Sequence, residues 1–267
     1  MRIAHECPIS LFEESKVFND YDYALVHLFE SHPTYFQYFK DAVESGRHVL
    51  LDNSIFELGE AFDFEKYALW INRLNPTEYI IPDALENADQ TIANADKWRD
   101  EYLQSVPDIK TIGVVQGKTY DELVRCYNYM NAHVDKIAIS FDYSYYLEVC
   151  PHPNKWIGYA LGRVVTLSRL YNDGIINKVK PHHLLGCASP VEFSFYRDGR
   201  FDWIDTIDTS NPIVHGMLGI KYEPAGLFQK QSIKMCDMID SKDFDELTLK
   251  RIEHNINLFR SYAKGLV

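Results

Sequence analysis

The stretch TIGVVQGKTYDELVRCYNYM, residues 111–130, decides the fold. Thr111–Val115 is a short apolar run of strand length, and Tyr120–Met130 carries a helix-length amphipathic pattern. A second apolar run follows at Lys136–Ser140. Run, helix and run read as one β–α–β unit. The alternation extends in both directions. Further runs are Met1–Ala4, Tyr23–Leu28, His48–Leu51, Tyr79–Ile81, His183–Leu185 and Trp203–Ile207, which makes eight candidate strands. Helical patterns cover Phe64–Leu74, Asn87–Leu103, Trp156–Tyr171 and Pro190–Arg197, and a last one, Asp245–Tyr262, follows the eighth strand. Eight strands interleaved with helices predict a (β/α)8 TIM-type barrel. A doubly wound open sheet uses the same alternation, but usually with fewer strands and often a Gly-rich first turn. Here the first strand runs into Cys7-Pro8, and no GxGxxG occurs. The expected organisation is a single catalytic domain over residues 1–267.

Composition narrows the class. Apolar residues make up 46% of the chain and aromatics 14%, enough to bury a full core. No apolar run reaches the roughly 18 residues of a membrane span. The start, Met1 to Glu6, lacks the long apolar stretch of a signal peptide. The five cysteines, at 7, 126, 150, 187 and 236, form no CxC or CxxC pair. That spacing disfavours a disulfide framework and fits a reducing, cytoplasmic setting. The net charge of −12 disfavours non-specific coating of nucleic acid.

In such a barrel, chemistry gathers at the carboxyl ends of the strands. Those ends carry Asp52-Asn53-Ser54, Pro82-Asp83, Gln116-Gly117, Ser140-Phe141-Asp142, Gly186-Cys187 and Asp208-Thr209-Ser210-Asn211-Pro212. An aspartate after a strand most simply caps the next helix. Asp83 suits that role. Asp52 does so less, because Gly59 intervenes before the next helical pattern, and a Pro-containing loop follows Asp208. Three carboxylates and an amide on one rim exceed what capping needs, because uncompensated carboxylates repel. Two carboxylates facing a sugar carbon are the equipment for cleaving a glycosidic bond. A third carboxylate with a Gln suits a guanine edge, accepting from N1–H and N2–H₂ and donating to O6. Phe56, four residues after Asp52, is either a core ring or one that stacks on a base.

These stretches resemble the tRNA-guanine transglycosylases. Asp52-Asn53-Ser54-Ile55-Phe56 is similar to the family's Asp-Ser-Gly-Gly-aromatic segment, and Ile112–Gly117 with Thr119–Leu123 to its Gly-Ile-Val-Gln-Gly stretch and following helix. His183–Gly186, with Pro190 soon after, resembles the His-Tyr-Leu-Met-Gly segment, and Asp202–Pro212 the segment of the nucleophilic Asp. The similarity runs in order over residues 48–216. Within the superfamily the chain most resembles the short viral 7-deazaguanine DNA transglycosylases. The resemblance implies the (β/α)8 fold and no cofactor. It makes Asp52 the general acid/base, flanked by Asn53 and Ser54 in the base pocket. Phe56 would stack on one face of the base and Leu185, next to Gly186, on the other. Asp83, Gln116 and the backbone of Gly117 would read the edge. Counting from Pro190 makes Asp205 the nucleophile, whereas counting back from Pro212 makes it Asp208. Asp208 is preferred at the strand end, with Asp205 expected to lie deeper as a structural carboxylate.

Two departures shape the expected substrate. The family's tRNA enzymes build a zinc site from clustered Cys and a His, but only Cys236 follows Cys187 here. No metal and no zinc subdomain are expected, which favours DNA over tRNA. The Gly-Gly lining the family's base pocket is Ser140-Phe141 here, with Ser140 at the base. Candidate phosphate contacts are Lys155, Arg163, Arg169, Lys178 and Lys180, opposed between Pro151 and Pro181 only by Asp173. A second set is Lys221, Lys230 and Lys234, with Gln229 and Gln231 and against Glu223. The expected partners are therefore DNA, its target nucleotide flipped or single-stranded, and a guanine or 7-deazaguanine (preQ0-like) base, with no membrane. Competing expectations are an RNA-directed enzyme of the tRNA-guanine type, a nucleoside-level glycosylase or deoxyribosyltransferase, and an inactive base- or nucleic-acid-binding barrel. The setting would be the cytoplasm, the host's for a viral enzyme.

Overall fold

The computed structural model describes residues 1–141, 143–187, 189–197, 199–223 and 233–266. Its strands are β1 (Arg2–His5), β2 (Asp22–Leu25), β3 (Val49–Asp52), β4 (Glu78–Ile80), β5 (Lys110–Val115), β6 (Lys136–Ile139), β7 (His182–Leu184) and β8 (Ile204–Thr209). They form one sheet in the order β1-β8-β7-β6-β5-β4-β3-β2. The pairs β1–β8, β2–β3, β3–β4, β4–β5 and β5–β6 are parallel. Helices α1 (Phe12–Phe18), α2 (Leu28–Ser31), α3 (Pro33–Glu44), α4 (Ile55–Leu58), α5 (Phe64–Leu74), α6 (Ala88–Lys97) and α7 (Tyr120–His133) occupy the first connections. Helices α8 (Ser144–Val149) and α9 (Lys155–Asn172) lie between β6 and β7, and α10 (Asn211–Met217) and α11 (Glu246–Ala263) follow β8. This is the (β/α)8 TIM-type barrel fold that the alternation predicts. Among the described residues no helix is long and apolar enough to cross a membrane.

Several elements differ from the sequence reading. The run Tyr23–Leu28 is a strand only to Leu25, because the chain turns as Phe29 N–H donates to Val26 O. Strand β8 runs two residues past Ile207, because Asp208 and Thr209 stay in register with Ala4 and His5 of β1. The pattern Asn87–Leu103 is α6 followed by a π-helical turn, Trp98–Tyr102. There Trp98 is buried against Tyr67 and Tyr79, its indole N–H donating to the Tyr79 hydroxyl at 3.2 Å. Pro190–Tyr196 is a 3₁₀ rather than an α-helix. After Asp208 the chain forms α10 instead of a loop, since Pro212 fits the first turn of a helix.

The chain divides into two compact units. One comprises Tyr21–Ser140 and Val179–His183, the other Met1–Asp20, Phe141–Lys178 and Leu184–Val267. In the first, Val49, Leu50, Leu51, Ile112 and Ile137 are wholly buried on β3, β5 and β6. Tyr67 of α5 ties two strands together, its hydroxyl donating to Ile80 O at 2.7 Å and Leu51 O at 3.3 Å. In the second, Ile3, Ile207, Phe193 and Phe259 form the core.

The amino ends of β4 and β6 hold a buried ion pair in the first unit. Lys136 Nζ lies 2.9 Å from Glu78 Oε1, and His48 Nε2 lies 3.0 Å from the same oxygen. Burial pushes Glu78 up, but His48 and Lys136 outweigh it and hold the carboxyl at about 2. Breaking a buried pair costs more than replacing it, because the Glu78 carboxylate then loses its buried cation and keeps only the partly exposed His48. Lys136→Met should therefore destabilise the protein by about 3–5 kcal/mol in urea unfolding, and adding Glu78→Leu should recover most of the loss.

Candidate active site

In the first unit, β3 ends on Asp52 and the chain turns sharply at Ser54, whose φ is 61°. A left-handed conformation is uncommon for a residue with a Cβ. The turn directs the Ser54 N–H onto Asp52 Oδ1 at 2.5 Å, while the Tyr23 hydroxyl donates to Oδ2 at 2.5 Å. Asp52 therefore does not cap α4, whose N-cap is Ser54.

Asp83 follows β4 and is buried. Asn53 Nδ2 donates to its Oδ1 at 2.7 Å, and Gln116 Nε2 to its Oδ2 at 2.7 Å. Asn87, not Asp83, caps α6. Asn53 also donates to Ile81 O at 2.9 Å and accepts the Ile55 N–H at 3.0 Å. Its amide nitrogen is thus used on Asp83 and Ile81 O, while its oxygen holds the turn. Gln116 Oε1 accepts the Glu86 N–H at 2.8 Å. One N–H of the Gln116 amide is left over from these contacts. At Gly117 a Cβ would fall 2.8 Å from Glu122 Cβ, so the close entry into α7 accounts for this glycine. Phe56 of α4 is 43% exposed, and Ser140, just after β6, is half-buried.

Burial pushes the Asp83 carboxyl up to about 6 against the pull of the Asn53 and Gln116 amides. A raised carboxyl favours the fold when protonated, and that stability is lost as pH rises through the folded value. Urea unfolding of the wild type should lose on the order of 3 kcal/mol from this group between about pH 4 and pH 6. Asp83→Asn should lack that loss. Parallel pH–stability curves of the two proteins would refute the assignment.

In the second unit, Asp208 lies in β8 and is buried. The Gly186 N–H donates to both its oxygens, at 3.0 and 3.2 Å. Gly186 has φ 61°, and an added Cβ would meet Phe141 only at an ordinary 3.6 Å, so its backbone conformation rather than crowding requires glycine. The Cys187 N–H donates to Asp208 O at 3.0 Å, and Thr209 Oγ1 to Cys187 O at 2.6 Å. Asp208 does not cap α10, whose N-cap is Ser210. Leu185, half-buried, precedes this cluster.

Asp205 is not the deeper carboxylate expected. Its side chain is 35% exposed and pairs with Arg2 at 2.8 Å. Three residues along a strand of period two, it faces away from the side that Asp208 faces. Arg163 is not a phosphate contact. It is fully buried, with Nε 2.7 Å from Glu192 Oε1. Lys180 Nζ donates to Asn131 O, while Lys155 and Lys178 lie over the rings of Trp156 and Tyr171. Asp142, Gln229, Lys230 and Gln231 lie outside the described residues. Among the described residues no group of three His, Cys, Asp or Glu could hold a metal ion.

Sequence reasoning missed Tyr23 and the Arg163–Glu192 pair. A signal for Arg163 existed: with Thr166, Leu167 and Leu170 it completes a helical stripe that is buried throughout. No family model matches the chain, and no curated protein matches it.

Chemically, the first unit offers an oriented carboxylate, Asp52, and a buried acceptor, Asp83, suited to imide and amine donors. The second offers a carboxylate, Asp208, whose charge is stabilised by a backbone N–H.

Proposed function

We propose that the protein is a base-exchange transglycosylase that replaces guanine in DNA with a 7-deazaguanine such as a preQ0-like base. The observation that carries this reading is the Asp208 carboxylate, buried in β8, clamped through both oxygens by the Gly186 N–H and capping no helix. The ordered resemblance to the tRNA-guanine transglycosylases over residues 48–216 supports it.

In this reading Asp208 attacks C1′ of a target deoxyguanosine. The C1′–N9 bond breaks, guanine leaves with a proton from Asp52, and a glycosyl ester on Asp208 remains. Asp52, now a carboxylate, takes the proton from N9 of the incoming base. That nitrogen attacks C1′ and releases Asp208. Asp83 accepts from the donor edge of the base, and the remaining N–H of Gln116 donates to its carbonyl. The resemblance assigns Phe56 and Leu185 to the two faces of the base. The substrates are a flipped or single-stranded nucleotide and a free base, in the cytoplasm of the cell or of a viral host.

The test is incubation with radiolabelled guanine and, separately, DNA, tRNA and deoxyguanosine. Label is expected in DNA. Label in tRNA alone would move the substrate to RNA. Exchange into deoxyguanosine alone would indicate a nucleoside-level enzyme, and no label anywhere would defeat the transglycosylase reading.

A further inference from the structure

A fully buried ion pair is a costly way to stabilise a fold, because desolvation offsets much of the attraction. Arg163 and Glu192 form such a pair in the second unit, so what the pair holds in place matters more than its own strength. The guanidinium binds Glu192 as a fork, Nε at 2.7 Å and Nη2 at 2.9 Å. Glu192 is itself fixed by the Tyr196 hydroxyl at 2.6 Å. The fork leaves Nη1 directed at Leu185 O, 2.8 Å away, and Nη2 also reaches Cys187 Sγ at 3.2 Å. Burial pushes the Cys187 thiol up, which keeps it neutral and able to donate to Leu184 O.

Leu185 C=O and Gly186 N–H are the two ends of a single planar peptide. Arg163 holds the oxygen end, and Asp208 accepts from the nitrogen end. Rotating that peptide would break both contacts together. A cation on the carbonyl also polarises the amide and strengthens the N–H as a donor. We infer that the Arg163–Glu192 pair is the positioning element for the Asp208 carboxylate, acting through the Leu185–Gly186 peptide. The inference rests on the reading of Asp208 as nucleophile. The N–H keeps its hold on the non-attacking oxygen in the ester and stabilises the carboxylate again as it leaves, so both displacements gain.

The test uses the full chain labelled with [¹⁵N]glycine. The glycine amide signal that moves in Asp208→Asn marks Gly186. Arg163→Met with Glu192→Leu replaces the pair by apolar groups, a change buried pairs often tolerate. In that folded variant the marked signal should move as it does in Asp208→Asn. Formation of the covalent DNA adduct at saturating DNA should slow by about 10- to 100-fold, the scale of a misplaced reacting group. An unmoved signal with an unchanged adduct rate would overturn the inference. If the double variant does not fold, Arg163→Lys decides: it keeps the charge but not the fork. Its marked signal should move in the same way, and an unmoved signal would overturn the inference. Wild-type protein that forms no adduct, while the signal responds as expected, would defeat the nucleophile reading and leave the positioning intact.

Discussion

Asp208→Asn is expected to abolish both base exchange and the denaturation-resistant protein–DNA adduct. Loss of an enzyme's nucleophile costs on the order of 10⁴-fold or more. The amide is nearly isosteric with the carboxylate and can still accept the Gly186 N–H through its oxygen, so the fold and DNA binding should survive. Asp205→Asn is the control. Its partner Arg2 and its own side chain are both about a third or more exposed, and such a pair contributes at most about 1 kcal/mol. This variant should therefore keep adduct formation and nearly all of its stability. A folded Asp208→Asn protein that forms the adduct, beside a folded Asp205→Asn protein that does not, would transfer the nucleophile to Asp205.

The contrast between these two aspartates shows what a sequence can reveal. Both lie in one short segment, and counting from flanking prolines reaches either. Strand period distinguishes their faces only once the strand's limits are known, and those depend on pairing with β1. The strands themselves were legible because buried parallel strands read as apolar runs. Helix α5 was legible to its last residue, since its buried positions Tyr67, Ala68, Ile71 and Leu74 keep a helical period. Helix α3 was not, because exposed or half-buried aromatics such as Phe36 and Tyr38 blur the contrast with buried Tyr35 and Phe39.

The carboxylates were visible as strand-end residues, but their supports were not. Asn53 and Gln116 read as groups for a ligand. In the structure they hold Asp83, an arrangement between residues about 30 apart in the chain that no local pattern encodes. Arg163 read as part of a basic surface because net charge says nothing about burial. Its partner Glu192 lies 29 residues away on a different element.

The second large effect concerns Asp52. Asp52→Asn should slow exchange by about 10²–10⁴-fold, the usual contribution of a positioned acid or base. The substitution should not damage the fold, and the contacts show why. The Ser54 N–H can only donate, so the carbonyl of the introduced amide must face it. The amide NH₂ then faces the Tyr23 hydroxyl, which can turn from donor to acceptor. Asp208 remains intact in this variant, so the adduct should still form, slowly, because guanine leaves without its proton donor. It should also persist, because no base takes the proton from the incoming 7-deazaguanine. Tyr23→Phe removes one hydrogen bond to the same carboxylate, worth about 1.5–3 kcal/mol for a charged acceptor, and should reduce exchange by a smaller factor than Asp52→Asn. Single-turnover trapping at intervals separates the two displacements: Asp52→Asn should accumulate adduct over time, whereas Asp208→Asn should show none. A folded Asp52→Asn protein exchanging bases at the wild-type rate would remove Asp52 from the chemistry.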